Sequence, residues 1–176
     1  MSELETEWAR RLAEAEQRAR ASGRSDVADY LVLRALNDEA RNLGIEWLLA
    51  AFIAHAGEAN RAGAGIGLAQ TDAHRFRVGT STMVGKRLTL SAGVRVLTIE
   101  AGWPRTPSDG IVRGGGLAAA RVSHFGQRRD DDELLLVQTT NDAAPGWLVL
   151  DPTGARRRAA PLEDARVRLH VSKLLP

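Results

Sequence analysis

The sequence predicts an α+β fold, with N-terminal helices packed on a C-terminal antiparallel β-rich sandwich or small barrel. Three observations carry that expectation. Apolar residues recur at helical spacing up to about residue 61. From about residue 74 they alternate with polar ones, in short runs bounded by turn residues. Between the two lies a stretch in which Gly63, Gly65 and Gly67 alternate. The domain reading is a helical region over 1–61 (an arm over 3–21 plus two core helices), a linker over 62–73 and a β-rich region over 74–176, together one folded unit. A chain of 176 residues is long enough to bury a real core without covalent staples.

Residues 3–21 read as the first helix. Leu4, Trp8, Leu12, Ala15 and Ala19 fall on one stripe. Glu7 with Arg11, Glu14 with Arg18 and Glu16 with Arg20 stand four apart with the acid first, the favourable order. Gly23 supplies a C-cap. The stripe is narrow and mostly alanine, which suits an arm that docks on the body or on a second copy of the chain, making a homo-oligomer. Ser25 is an N-cap residue with Asp26 in the first turn. Val27, Tyr30, Leu31, Leu36, Ala40 and Leu43 keep helical register as far as Gly44, which with Ile45 beyond it has the form of a Schellman cap. Another helix follows over 45–59, where Trp47, Leu48, Leu49, Phe52 and Ile53 make the run apolar on most sides; a buried strand fits the same run.

After the linker, strands are expected over 74–79, 86–91, 94–100, 118–125, 134–140, 146–151 and 166–172. In the last, Val167, Leu169 and Val171 would point inward and Arg166, Arg168 and His170 outward. Ser91–Gly93 suits a tight turn, and Asp151-Pro-Thr-Gly154 suits a type I turn. The acidic run Asp130–Glu133 places charge beside the apolar run Leu134–Val137.

The absence of cysteine excludes disulfides, thiol nucleophiles and thiolate metal sites, and suits a reducing compartment. The acidic first residues lack the apolar segment of a signal peptide. The longest apolar run, 47–56, is about half of what a membrane span needs. A cytoplasmic location without membrane attachment is expected. Residues 1–61 carry a net charge of −3 and residues 62–176 a net charge of +5. The two parts therefore attract one another, or the second offers a surface to an anionic partner.

Function is sought in residues 101–126, where Trp103, Arg105, Asp109, Arg113, Arg121 and His124 lie among six glycines and two prolines. Arg113 and Gly114, Gly115 and Gly116 lead: successive glycine amides can converge on an anion, and the guanidinium adds a fork of donors. Trp103 and Arg105 would stack on or clamp the ligand. Asp109 and His124 complete the candidate site, with His124 an added donor when protonated, below about pH 6.5. The expected function is a binding module for a small anionic ligand or partner, not an enzyme. The structural alternative is that the glycines turn the chain and Trp103 fills the core.

Other motifs are weaker. Gly63–Gly67 lacks the strand before it and the helix after it that a dinucleotide loop requires. Gly79–Arg87 departs from a P-loop by one residue of spacing and by Arg87 where the magnesium-binding hydroxyl would stand. His55, His74, His124 and His170 show no spacing that gathers the three or four ligands of a metal site, so no metal and no cofactor is expected. His124 with Ser108 and Asp109 would make a small hydrolase, provided a loop brought them together; the adjacent Ser123 would point to the opposite face. Arg128 with Arg129, and Arg156–Arg158, are basic clusters that leave nucleic acid as an alternative partner, but aromatic content is only 5% and no recognised motif accompanies them.

Overall fold

A computed structural model describes residues 3–138, 144–151 and 159–175 of the chain. Helices α1 (Glu3–Ala21) and α2 (Ser25–Arg61) come first. Strands β1 (Gly67–Val78), β2 (Ser81–Ala92), β3 (Arg95–Trp103), β4 (Ala118–His124), β5 (Asp132–Val137), β6 (Gly146–Val149) and β7 (Ala160–Pro161) follow, and α3 (Asp164–Ser172) comes last. The arrangement is α+β. The described strands form one antiparallel sheet in chain order, each paired with its sequence neighbour. The chain divides into two compact units, Met1–Asn42 and Leu43–Pro176. No helix among the described residues is long and apolar enough to cross a membrane.

In the first unit, α1 ends as its sequence requires. Gly23 adopts φ 73°, and the Arg24 amide reaches back to the Ala19 carbonyl at 2.9 Å. Leu12 and Ala19 are buried. The arm docks on its own chain: Trp8 Nε1 donates to Asp38 of α2 at 3.3 Å, and the Arg34 guanidinium lies 5.0 Å from the Trp8 ring centroid. Glu7–Arg11 and Glu16–Arg20 pair as expected, at 2.9 and 3.0 Å, whereas Glu14 takes Arg10 in place of Arg18.

The sequence reading needs three corrections. The first is that α2 is one 37-residue helix, not two helices divided at Gly44. Gly44 is no cap. A Cβ there would stand 2.6 Å from Leu136 Cδ2, so glycine is what lets β5 approach the helix backbone. The Gly44 carbonyl also accepts Trp147 Nε1 at 2.8 Å.

The second correction concerns the linker, which is much shorter than 62–73. Asn60 clamps Ile66 through both its amide groups, at 2.8 and 2.6 Å, and β1 begins at Gly67. A bulge between Thr71 and His74 breaks the alternation that would have revealed the strand, and most of β1 is exposed edge.

The third correction concerns residues 166–172, which belong to α3 and not to a strand. Val167, His170, Val171 and Leu174 are buried while Leu169 is exposed. That is helical spacing, and it turns His170 inward and Leu169 outward.

Parts of the expected fifth strand (139–140), of the turn after Asp151 (152–154) and the basic cluster 156–158 lie outside the described residues.

Strand alternation sorts the sheet into two faces. Leu88, Leu90, Leu97, Ile99, Ala101, Val122, Leu134 and Leu136 are buried on one face, with Leu48, Leu49 and Phe52 of α2 and with Val167 and Val171 of α3. His124 and Asp132 stand on that same face by register: His124 opposite Leu97, and Asp132 opposite Val122.

Candidate functional site

The loop from 104 to 117 is built largely from its own contacts. Trp103 is buried, with the Arg105 guanidinium 3.6 Å from its ring centroid. Asp109 accepts from the Thr106 hydroxyl and amide at 2.9 and 3.1 Å and pairs with Arg75 at 3.1 Å. The Thr106 hydrogen bond holds its carboxyl below the usual range. Ser108 shares a hydrogen bond with the Thr106 hydroxyl at 2.8 Å. Ser81 pins the loop by donating to the Ile111 carbonyl at 2.9 Å.

Arg113 is exposed. Gly114 and Gly115 adopt φ 72° and 70°, the left-handed turn that the glycines were expected to allow. The Gly115 amide is engaged with the Val112 carbonyl at 3.3 Å. Gly116 packs so closely that a Cβ would stand 2.4 Å from Leu135 Cδ1.

His124 is not part of that loop's surroundings. The loop leaves the sheet where Gly102 pairs with Ala119, and His124 pairs with Leu97 at the other end of the strand. That is five residues along β4, roughly 16 Å at the rise of a strand. Trp103, Arg105, Asp109, Arg113 and the three glycines therefore share one loop, and His124 stands apart from them and from Ser108.

At the His124 end the structure assembles a chain of polar groups. Arg166 grips the Asp132 carboxylate with Nε at 2.5 Å and Nη2 at 2.7 Å. Asp132 Oδ2 lies 2.9 Å from His170 Nε2, and His170 Nδ1 lies 3.0 Å from His124 Nε2. The two imidazoles are stacked with centroids 5.3 Å apart, and Phe52 of α2 stands 6.2 Å from His170 on a tilted plane. His124, His170 and Asp132 are all buried. Burial pushes the Asp132 carboxyl up, but Arg166 and His170 outweigh it and hold it well below the usual carboxylate range. Burial pushes the His124 imidazole down, and neighbouring Lys173 acts in the same direction. His124 is thus biased toward its neutral form. The expectation that it becomes an extra donor below about pH 6.5 moves to more acid conditions.

Beside this chain, the turn from His124 to Asp131 borders an open depression of about 860 Å³. Its acids are engaged: Asp131 accepts the His124 amide at 2.9 Å, and Asp130 takes Lys173 at 2.6 Å. Its two arginines are not. The side chains of Arg128 and Arg129 make no hydrogen bond or ion pair among the described residues. Phe125, 81% exposed, stands on the same turn. Among the described residues His124 Nδ1 also has no partner, and no fully buried side-chain nitrogen or oxygen is left unpaired, so Nδ1 reaches solvent.

The remaining histidines have carboxylate partners elsewhere. On the opposite face of the sheet, His74 Nε2 lies 2.7 Å from Glu100, whose other oxygen takes Arg121 at 2.6 Å. Register places Arg87, Glu100, Arg121 and Glu133 in one cross-strand row of alternating sign. Burial raises the Glu100 carboxyl, and His74 with Arg121 overcomes this and lowers it. His55 of α2 lies 2.7 Å from Asp164 at the start of α3 and 3.3 Å from Glu58. Among the described residues no group of three or more acids and histidines is placed to hold a metal ion.

Of the expected site residues, His124 alone lies on this depression. His170, Asp132 and Arg166 were missed, because a strand over 166–172 turns His170 outward; the spacing of Val167, His170, Val171 and Leu174 was the signal that would have found it. Compared with known proteins, the chain matches no family model, no curated protein and no solved structure.

Proposed function

We propose that this protein is a binding module for a small anionic ligand, held in the depression bordered by residues 124–131. One observation carries the reading. Two adjacent arginines, Arg128 and Arg129, have side chains without a partner among the described residues and stand on the rim of an open depression whose acidic side chains already have partners. A guanidinium is a fixed fork of donors suited to carboxylate and phosphate. Phe125 offers an exposed aromatic face beside them. The reading keeps the anionic ligand expected from the sequence. It moves the seat from the loop around Arg113 to the turn that follows His124, because the 104–117 loop spends Asp109 and the Gly115 amide on its own structure.

The test is calorimetric titration with inorganic phosphate, sulfate, acetate and glycolate, on the wild-type chain and on the Arg128→Ala/Arg129→Ala variant. Each lost charge-assisted hydrogen bond is worth about 1.5–3 kcal/mol, so the double variant should bind at least tenfold more weakly. Both arginines are exposed, and the melting temperature should be unchanged. Binding that survives the double substitution, or no heat with any of these anions, would overturn the reading.

A further inference from the structure

The His124–His170–Asp132 chain sets which ring nitrogen of His124 carries a proton, and the argument starts from the buried end. Asp132 is ionised, because both its oxygens face Arg166 donors at 2.5 and 2.7 Å. His170 Nε2, at 2.9 Å, must therefore donate to it. The charge of Asp132 is already matched by Arg166, so a second proton on His170 would place an extra cation in a ring only 4% exposed, with Phe52 beside it. Neutral His170 that donates from Nε2 has its lone pair on Nδ1. That lone pair, 3.0 Å from His124 Nε2, accepts a proton held there. Neutral His124 with its proton on Nε2 has its lone pair on Nδ1, the nitrogen that reaches solvent.

From this geometry, and resting on the function proposed above, we infer that the depression selects oxyanions that carry an O–H group, such as hydrogen phosphate or a hydroxycarboxylate, over oxyanions that carry none. Its edge supplies guanidinium donors that want negative charge. His124 supplies an acceptor that wants a hydrogen. Sulfate and acetate satisfy the first and meet the second lone pair to lone pair. Hydrogen phosphate and glycolate satisfy both. A site discriminates against a ligand that covers one of its hydrogen-bonding groups and leaves that group unpaired. His124→Phe separates the contribution of His124 from that of Asp130 and Asp131, the other acceptors on the depression. Asp130 is bound to Lys173, and Asp131 takes the His124 amide.

The experiment pairs anions that differ in the O–H group: hydrogen phosphate against sulfate, and glycolate against acetate, titrated at pH 7.5. The wild-type chain should prefer the hydroxyl-bearing member of each pair by roughly tenfold or more. A preference confined to the phosphate pair identifies a phosphate site, and one confined to the glycolate pair a hydroxycarboxylate site; either supports the inference. His124→Phe should erase the preference and keep the dependence on Arg128 and Arg129. Nitrogen-15 imidazole spectra of the wild type provide a measurement that needs no variant: His124 should carry its proton on Nε2. Equal binding within both pairs, tighter sulfate and acetate, or a proton on Nδ1 overturns the inference and leaves the anion site standing. Absence of binding by all four anions overturns both.

Discussion

His170 Nδ1 stands 3.0 Å from His124 Nε2, although the two residues are 46 apart in the chain. One belongs to the last helix and the other to the end of β4, so the contact ties α3 to the sheet. His170→Leu approximately keeps the volume beside Phe52 but removes both hydrogen bonds. It leaves a buried His124 N–H without an acceptor and Asp132 with Arg166 alone. The expected loss is roughly 1–3 kcal/mol, the cost of a buried polar group left unpaired. It is read from the urea midpoint at constant slope. A variant as stable as wild type would mean that water replaces His170 at no cost.

The same cluster sets how stability responds to acid. His124 has a lowered pKa in the folded chain, so the unfolded chain takes up that proton first. The stabilisation it gives is complete above the ordinary imidazole value of about 6.5 and declines as pH falls below it. Asp132 is also lowered, and its contribution is complete above the ordinary carboxylate value of about 4 and is lost as pH falls further toward its own value. Urea midpoints measured from pH 8 to pH 3 should therefore fall in two stages. His124→Phe should flatten the upper stage, and Asp132→Asn should reduce the lower one, to which Glu100 and Asp109 also contribute. One stage confined to the carboxylate range would show that His124 is not protonated at the expense of folding.

The placement of α3 makes a direct comparison of two positions. Leu169 is 54% exposed and Val171 is 3% exposed. A strand would treat them alike, since they are two residues apart. In the helix, Leu169→Lys should change stability by less than about 0.5 kcal/mol, as surface substitutions do. Val171→Lys should cost several times more, by placing a charge in the core. Thermal melts of the two variants decide it. Equal losses would restore the strand.

Much of the fold was legible because local pattern and tertiary environment agree. The Gly23 cap, the alternation of Val96–Glu100 and the apolar run Leu134–Val137 each have one consistent reading. The misses occur where one residue type serves two purposes. Gly44 followed by Ile45 has the pattern of a helix cap, and close packing against Leu136 leaves the same mark in the sequence. Val167, Leu169 and Val171 alternate, yet Val167, His170 and Val171 also lie at helical spacing, and a nine-residue segment does not decide between them. The bulge after Thr71 hides the first half of β1. As for the site, the loop rich in glycine and arginine drew attention by composition. The chain through Asp132, His170 and Arg166 has no local signature, because pairing across β4 and β5 and the docking of α3 bring it together. Arg128 and Arg129 were visible only as a basic pair.

Two glycines in α2 test the reassignment of Gly44. Replacing a helical glycine by alanine ordinarily stabilises by roughly 0.5–1 kcal/mol, because the unfolded chain loses freedom. At Gly57 the nearest atom to a new Cβ is Arg61 Nη1 at 3.8 Å, an ordinary contact, so Gly57→Ala should follow that rule. At Gly44 the new methyl would stand 2.6 and 2.8 Å from the two terminal carbons of Leu136, a fully buried side chain that has little room to move. Overpacking of this kind costs about 1–3 kcal/mol, which outweighs the gain in helix propensity. Gly44→Ala should therefore destabilise while Gly57→Ala stabilises, within one helix and for one substitution. The urea midpoints of the two variants should move in opposite directions from wild type. If Gly44→Ala also stabilises, the close approach of β5 is not what selects glycine there. The combination Gly44→Ala with Leu136→Val, which trims the clashing carbons, should recover part of the loss. A double variant that loses less stability than the sum of the two single losses would locate the cost at this contact.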